Sequence, residues 1–261
     1  MPLVTGPDLA PGAVVDRRPA GKGRWDFTDR RIEAVTFRGI RDGEEWLQFR
    51  RCLLVDCTFV DSLLQWSWGV DHERQEDACR FERCRFVRSP MRPFRIAYGR
   101  LEGCTFEQCD WNTVHLRAVD LVDNVFVGVV EGLTVWGRDI PIMDLIVPRP
   151  RPNEIHGNDF RAADLRGLAL RAEVPTREQL WPEGAACAVV DRLPDRLAAV
   201  LARSAADGDA PDAELSETAR GRQAWITPGA EQSVAWLRWD DPSMPAASNR
   251  LARALAEVDP G

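Results

Sequence analysis

CRFERCRF, residues 79–86, sets two cysteines and two phenylalanines on a spacing of five. The spacing runs far beyond this stretch. Stepping by five from Leu101 meets Phe106, Trp111, Leu116, Leu121 and Phe126, all large and apolar. Two residues before each stand Gly99, Cys104, Cys109, Val114, Val119 and Asn124, all small or medium. Polar residues fill most of the gaps, among them Glu107, Asp110, His115, Arg117, Asp120 and Asp123. The same pairing of small with large occurs at Cys52/Leu54, Cys57/Phe59, Cys79/Phe81 and Cys84/Phe86. It returns at Asn158/Phe160, Ala163/Leu165 and Leu168/Leu170, and starts faintly at Phe27, Ile32 and Phe37.

A helix repeats near 3.6 residues and a half-buried strand alternates without interruption. A strict five fits a chain that places two residues inward and then turns a corner. Four corners close a square coil of about twenty residues, and equivalent positions stack coil on coil at about 4.8 Å. Phe86, Phe106 and Phe126 then form one inner ladder, Phe81, Leu101 and Leu121 another, and Met91 with Trp111 a third. No coil encloses a core alone, which is the defining property of a solenoid.

The residues that carry this pattern, above all NDFRAADLRGLAL (158–170) and CTFEQCDW (104–111), resemble the pentapeptide-repeat proteins. The resemblance covers roughly residues 25–171. It implies an all-β solenoid, a right-handed parallel quadrilateral β-helix, with a smaller and mainly α-helical region after it. The expected division is a Pro/Gly-rich N-terminal arm over 1–24, the β-helix over 25–171 with a Pro-rich loop at 137–157, and an α-rich cap or dimerisation region over 172–261. Members of the family of this kind imply no activity.

Within that frame the cysteines read as packing. They occupy the small inward position, where a free thiol behaves as a small buried hydrophobe, and Cys84 should stack on Cys104. Structural zinc sites favour C-x2-4-C pairs with converging ligands, whereas these are C-x4-C pairs at 52/57, 79/84 and 104/109. No metal and no cofactor is expected. An odd total of seven cysteines without an export signal fits free thiols and a cytoplasmic location. Lys22 is the single lysine beside 33 arginines, the codon bias of a GC-rich bacterial genome.

Two stretches break the count. Residues 60–78 read as a coil with a bulge or short loop, with Trp66, Trp68 and His72 as a contact surface. Residues 137–157 contain Pro141, Pro148, Pro150 and Pro152, which preclude regular pairing. They read either as a partner loop presenting Arg149 and Arg151 or as a strap across the solenoid wall. Downstream, helices are expected at 193–207, after Pro211, and at 248–258 with Ser248 as N-cap. Residues 186–193 read as a strand, EVPTREQLWP as a short helix, and Trp225, Trp236 and Trp239 as bulk for the cap.

The net charge is −7, and residues 171–261 contribute most of it, with 10 arginines against 15 acidic residues. Nucleic-acid binders show a basic excess, so none is expected here, and no apolar run is long enough for a membrane span. His115 should face solvent, and His72 and His156 fall in the interruptions. No GxSxG, GxxxxGK[ST], GxGxxG or HExxH motif occurs. No catalytic residue is expected and the partner-binding residues are unknown. The functional expectation is a non-catalytic scaffold for another protein, with a homodimer through the C-terminal region as a further option. Some proteins of the resembled family mimic duplex DNA and protect DNA gyrase from inhibitors, and this is the alternative. It needs an acidic rod, yet the segment from Cys79 to Phe126 has eight arginines against six acidic residues.

Overall fold

The computed structural model describes residues 3–5, 8–16, 24–40, 47–62, 64–66, 79–91, 95–112, 114–138, 151–166, 168–184, 187–190, 192–206, 212–224, 234–240 and 244–258. The first coils contain short strands: β1 (Leu3–Thr5), β2 (Val14–Asp16), β3 (Arg24–Thr28), β4 (Arg31–Glu33), β5 (Thr36–Arg38), β6 (Leu47–Arg50), β7 (Leu53–Val55), β8 (Thr58–Val60) and β9 (Leu64–Trp66). The middle follows with β10 (Cys79–Glu82), β11 (Arg85–Val87), β12 (Arg95–Glu102), β13 (Thr105–Glu107), β14 (His115–Val122), β15 (Val125–Glu131) and β16 (Thr134–Trp136). The last repeats give β17 (Ile155–His156), β18 (Asp159–Arg166) and β19 (Ala169–Arg171).

These strands form three sheets, which the chain visits in rotation from β3 to β11. The four-stranded sheet runs β1-β3-β6-β9, the seven-stranded sheet β18-β15-β13-β11-β8-β5-β2, and most of a ten-stranded sheet runs from β4 through β7, β10, β12, β14 and β16 to β19. All pairings among β1 to β19 are parallel. The expected ladders are in register: Phe86 pairs with Phe59 and Phe106, Phe106 with Phe126, and Phe81 with Leu101. A bridge between Pro90 and Asp110 brings Met91 and Trp111 together on the remaining side.

Corners follow from backbone sterics. Ala34, Asp56, Arg83, Gly103, Asp123 and Gly157 all turn with positive φ between the ten- and seven-stranded sheets. Aspartate tolerates this left-handed conformation better than most side chains, and glycine adopts it freely. At Gly157 a Cβ would also collide with the Asp123 carboxylate.

The inward ladder on the seven-stranded sheet is an unbroken stack of rings. Phe37, Phe59, Phe86, Phe106, Phe126, Phe160 and Trp181 follow one another at centroid separations of 5.0, 5.0, 4.8, 5.1, 4.5 and 5.1 Å. The five phenylalanines from Phe37 to Phe126 are at most 1% exposed. Burying each ring contributes about 1.5–3 kcal/mol.

Several boundaries differ from the sequence reading. Within the expected N-terminal arm, 1–24, β1 pairs with β3 and β2 with β5. The ring ladder likewise passes residue 171 and ends on Trp181. Cys79 follows Cys52 in register, not Cys57, so the coil through 60–78 is 27 residues long, seven beyond twenty. Residues 67–78 lie outside the described residues, as does the contact role given to Trp68 and His72. The Pro-rich interruption ends early: Ile155–His156 pairs with Leu121–Val122.

After the repeats come a 3-10 turn at Thr176–Glu178, then β20 (Cys187–Val190), α1 (Leu193–Ala206), α2 (Ala213–Ala224), β21 (Val234–Arg238) and α3 (Ala246–Glu257). Strand β21 joins the final edge of the ten-stranded sheet antiparallel to β19, and β20 pairs with β21. The three helices build a second core from Val190, Leu193, Leu197, Val200, Leu251 and Leu255, against which Trp239 packs. Trp225 lies outside the described residues. Ser248 is not the cap of α3. The helix begins two residues earlier, after Pro245, and Ser248 lies in its first turn. Asp212 instead caps α2 through its carboxylate and the Leu215 N–H at 3.0 Å.

Candidate interaction surface

The inward small residues do more than fill space. Cys57, Cys84, Cys104, Asn124, Asn158 and Gln179 form one column beside the ring ladder. Each donates to the carbonyl of the large residue on the preceding coil of the ten-stranded sheet. Cys57 reaches Ile32 O at 3.4 Å, Cys84 Leu54 O at 3.5 Å and Cys104 Phe81 O at 3.3 Å. Asn124 reaches Leu101 O at 3.0 Å, Asn158 Leu121 O at 2.9 Å and Gln179 Ile155 O at 3.0 Å.

The amides also accept the N–H groups of their predecessors in the column. The Asn124, Asn158 and Gln179 side-chain oxygens take the N–H groups of Cys104, Asn124 and Asn158 at 2.9, 3.2 and 3.2 Å. A buried N–H must find a partner, and here the next coil supplies it. Ser62 and Ser89 do the same at another corner, donating to Phe37 O at 3.2 Å and Phe59 O at 3.3 Å.

The adjacent Cys84 thiol and burial push Cys57 up, the adjacent Cys104 pushes Cys84 up, and burial carries Cys109 to about 12. Cys79, hydrogen-bonded to Cys52 and buried, is also raised. Among the described residues no group of three or more His, Cys, Asp or Glu is placed to hold a metal ion.

The outer walls carry ion pairs between successive coils. Arg51 grips Asp29, Arg83 grips Asp56 and Arg88 grips Asp61, each with two hydrogen bonds between corner residues. On the seven-stranded sheet Arg85 bonds Glu107 twice at 2.7 Å and holds its carboxyl below the usual range. Arg161 does the same for Asp159. Exposed pairs contribute about 0–1 kcal/mol each, so they serve register and charge balance more than stability.

The ten-stranded wall is clipped by residues 151–156. Asp120, expected on the surface, is only 2% exposed. Arg151 bonds its two oxygens at 2.7 and 3.1 Å, and the Glu154 N–H reaches it at 2.8 Å. Arg100 joins Glu102 and Glu154, and it holds Glu154 below the usual carboxylate range, assisted by His156. Asn153, also buried, donates to Arg117 O and Trp136 O. The Trp136 ring lies between the guanidiniums of Arg117 and Arg171, at 5.5 and 5.4 Å.

Arg151 is thus part of the strap, while Arg149 lies outside the described residues. His115 is exposed on β14, and His156 sits 3.3 Å from Glu154. The clip was missed from sequence, although Ile155 stands five before Phe160 and continues the count backwards.

No family model matches the chain, and no curated protein matches it. Solved structures similar to it include two of one protein. Full-length QnrB1, a plasmid-mediated fluoroquinolone resistance protein, has 14% identity over 69% of this chain and 90% of that one, with a TM-score of 0.24. A trypsin-treated form of QnrB1 has 15% identity over 64% and 89%, with a TM-score of 0.21. Scores this low carry no argument, so the architecture rests on the registers above. Among the described residues no helix is long and apolar enough to cross a membrane.

Proposed function

We propose that the chain is a non-catalytic scaffold of the pentapeptide-repeat type, a right-handed quadrilateral β-helix in the cytoplasm whose outer walls bind another protein. The helices and β20–β21 cap its final coil, since β21 occupies the edge that a further coil would use. The observation that carries the reading is the pairing of charge on the walls. Arg51, Arg83, Arg85 and Arg88 are each bonded to a carboxylate on a neighbouring coil. Such walls present little field of either sign, which suits recognition by shape and short-range contacts. A DNA mimic that engages gyrase needs a continuous excess of carboxylates, and the paired arginines argue against it.

The test is affinity capture from bacterial lysate with the immobilised chain, compared with Arg80→Glu on the ten-stranded wall and Arg85→Glu on the seven-stranded wall. Loss of one captured protein with one of these reversals is the expected result. Capture of gyrase subunits that duplex DNA competes away would overturn the reading in favour of mimicry. Capture no different from a blank support would reject both.

A further inference from the structure

The inward cysteines stand in register with one another. Cys84 stacks on Cys57 and Cys104 on Cys84, and at the corner that enters the ten-stranded sheet Cys79 stacks on Cys52. Cys109 follows Ser89 instead. Five of the six thiols are committed to the backbone. Cys52, Cys57, Cys84, Cys104 and Cys109 bond carbonyls on the preceding coil at 3.1, 3.4, 3.5, 3.3 and 3.5 Å. Cys79 differs. It bonds no carbonyl among the described residues, and its thiol is hydrogen-bonded to Cys52. At 7% it is also the most exposed of the six.

The backbone brings this pair within reach of a covalent bond. Cys52 immediately precedes β7 and Cys79 opens β10, and the two strands are parallel neighbours, with the Arg80 N–H on Cys52 O at 2.9 Å. Neighbouring strands lie about 4.7–4.9 Å apart. A disulfide spans about 4.4–6.8 Å between Cα atoms, so the strands need not separate or slide to form one.

We propose that Cys52 and Cys79 close a reversible disulfide when the chain meets a peroxide. The thiolate is the nucleophile in this chemistry, and the hydrogen bond from Cys79 holds the Cys52 thiol below its ordinary pKa. The Cys52 sulfur attacks one oxygen of hydrogen peroxide, the O–O bond breaks, and the departing hydroxide takes the thiol proton and leaves as water. The Cys79 sulfur then attacks the resulting sulfenic sulfur and expels a second water. Two thiols and one peroxide thus give one disulfide and two waters. In the other column Cys57 and Cys84 are bonded to carbonyls and pushed up in pKa, which disfavours their thiolates. The bond would tie off the 27-residue coil between the two strands, and a cross-link over such a loop removes freedom from the unfolded chain. The inference does not depend on the scaffold reading.

The test is to expose the folded full-length chain to hydrogen peroxide, alkylate it in denaturant and map the product by mass spectrometry. The expected product has lost two of its seven free thiols, joins Cys79 to Cys52, and reverts with dithiothreitol. Its melting temperature should lie roughly 6–12 °C above that of the reduced chain. Cys57→Ser should oxidise in the same way. Cys52→Ser should keep all its remaining thiols, and Cys79→Ser should stall at a Cys52 sulfenic acid that dimedone traps. Survival of all the thiols in the wild-type chain would overturn the proposal, as would a linkage between any other two cysteines. The linkage is mapped in the wild-type chain, so a poorly folding variant does not decide the outcome.

Discussion

One inward column of this molecule is built in two chemistries. Its first half uses thiols at Cys57, Cys84 and Cys104, and its second half uses amides at Asn124, Asn158 and Gln179. Both halves bond a carbonyl of the neighbouring ladder, and the amides also cap the preceding N–H. The amides add bonds along the column itself: Asn124 Nδ2 donates to Asn158 Oδ1 and Asn158 Nδ2 to Gln179 Oε1, both at 2.9 Å. A thiol is a weak donor and acceptor. Position alone therefore selects for small size and hydrogen bonding, and the difference lies in how firmly each half is tied.

The ring ladder is shared by both halves and sets the scale for testing this contrast. Phe86→Ala in the thiol half and Phe126→Ala in the amide half should each cost about 3–5 kcal/mol, read as the shift in urea unfolding. Costs differing by more than about 2 kcal/mol would show that the stack is not one continuous support. The column should show the asymmetry instead. Asn158→Ala strands the Asn124 N–H, the Leu121 carbonyl and part of Gln179, at about 1–3 kcal/mol for each group left unsatisfied. Cys84→Ser keeps a donor and an acceptor in place, as Ser62 and Ser89 do at their corner, and should cost under about 1 kcal/mol. Equal costs for the two substitutions would dissolve the distinction.

A further effect is one of pH. Cys57 and Cys84 have pKa values raised above that of an unfolded thiol, near 8.5. The unfolded chain then loses its thiol protons while the folded chain keeps them. Stability is fully present below pH of about 8.5 and falls above it, by up to about 1.4 kcal/mol per pH unit for each raised thiol. The decline should shrink in a Cys57→Ser, Cys84→Ser double variant. A slope unchanged by that variant would place the alkaline sensitivity elsewhere.

Much of this was legible in the sequence because stacked parallel strands with a short repeat write their geometry locally. A period of five needs no distant contact to be seen, and the inner ladders of Phe81 and Phe86 follow from it directly. The helices were equally readable where one face repeats, as at Leu193, Leu197 and Val200. Apart from the cap of α3, which Pro245 and not Ser248 precedes, the failures concern what one coil does to another. Nothing local reveals that Cys79 aligns with Cys52, because register is chosen by stacking rather than by counting. Asp120 looks like any outward polar residue until Arg151 and Glu154, more than thirty residues on, close over it. The cysteines were read as fillers, and their hydrogen bonds depend on a carbonyl in another coil.

Successive equivalents lie 22, 27, 20 and 34 residues apart at different levels of the stack. The sheets remain in step all the same, because most of the surplus is shed between strands, and the β15–β18 ladder absorbs a register shift between Val125 and Val127. The architecture thus behaves like a bound book whose pages may carry fold-outs of any width while the spine stays the same thickness. For protein engineering this marks the long coils as places where a foreign loop can be grafted and displayed. The two coils of twenty residues between Cys84 and Asn124 offer no such slack.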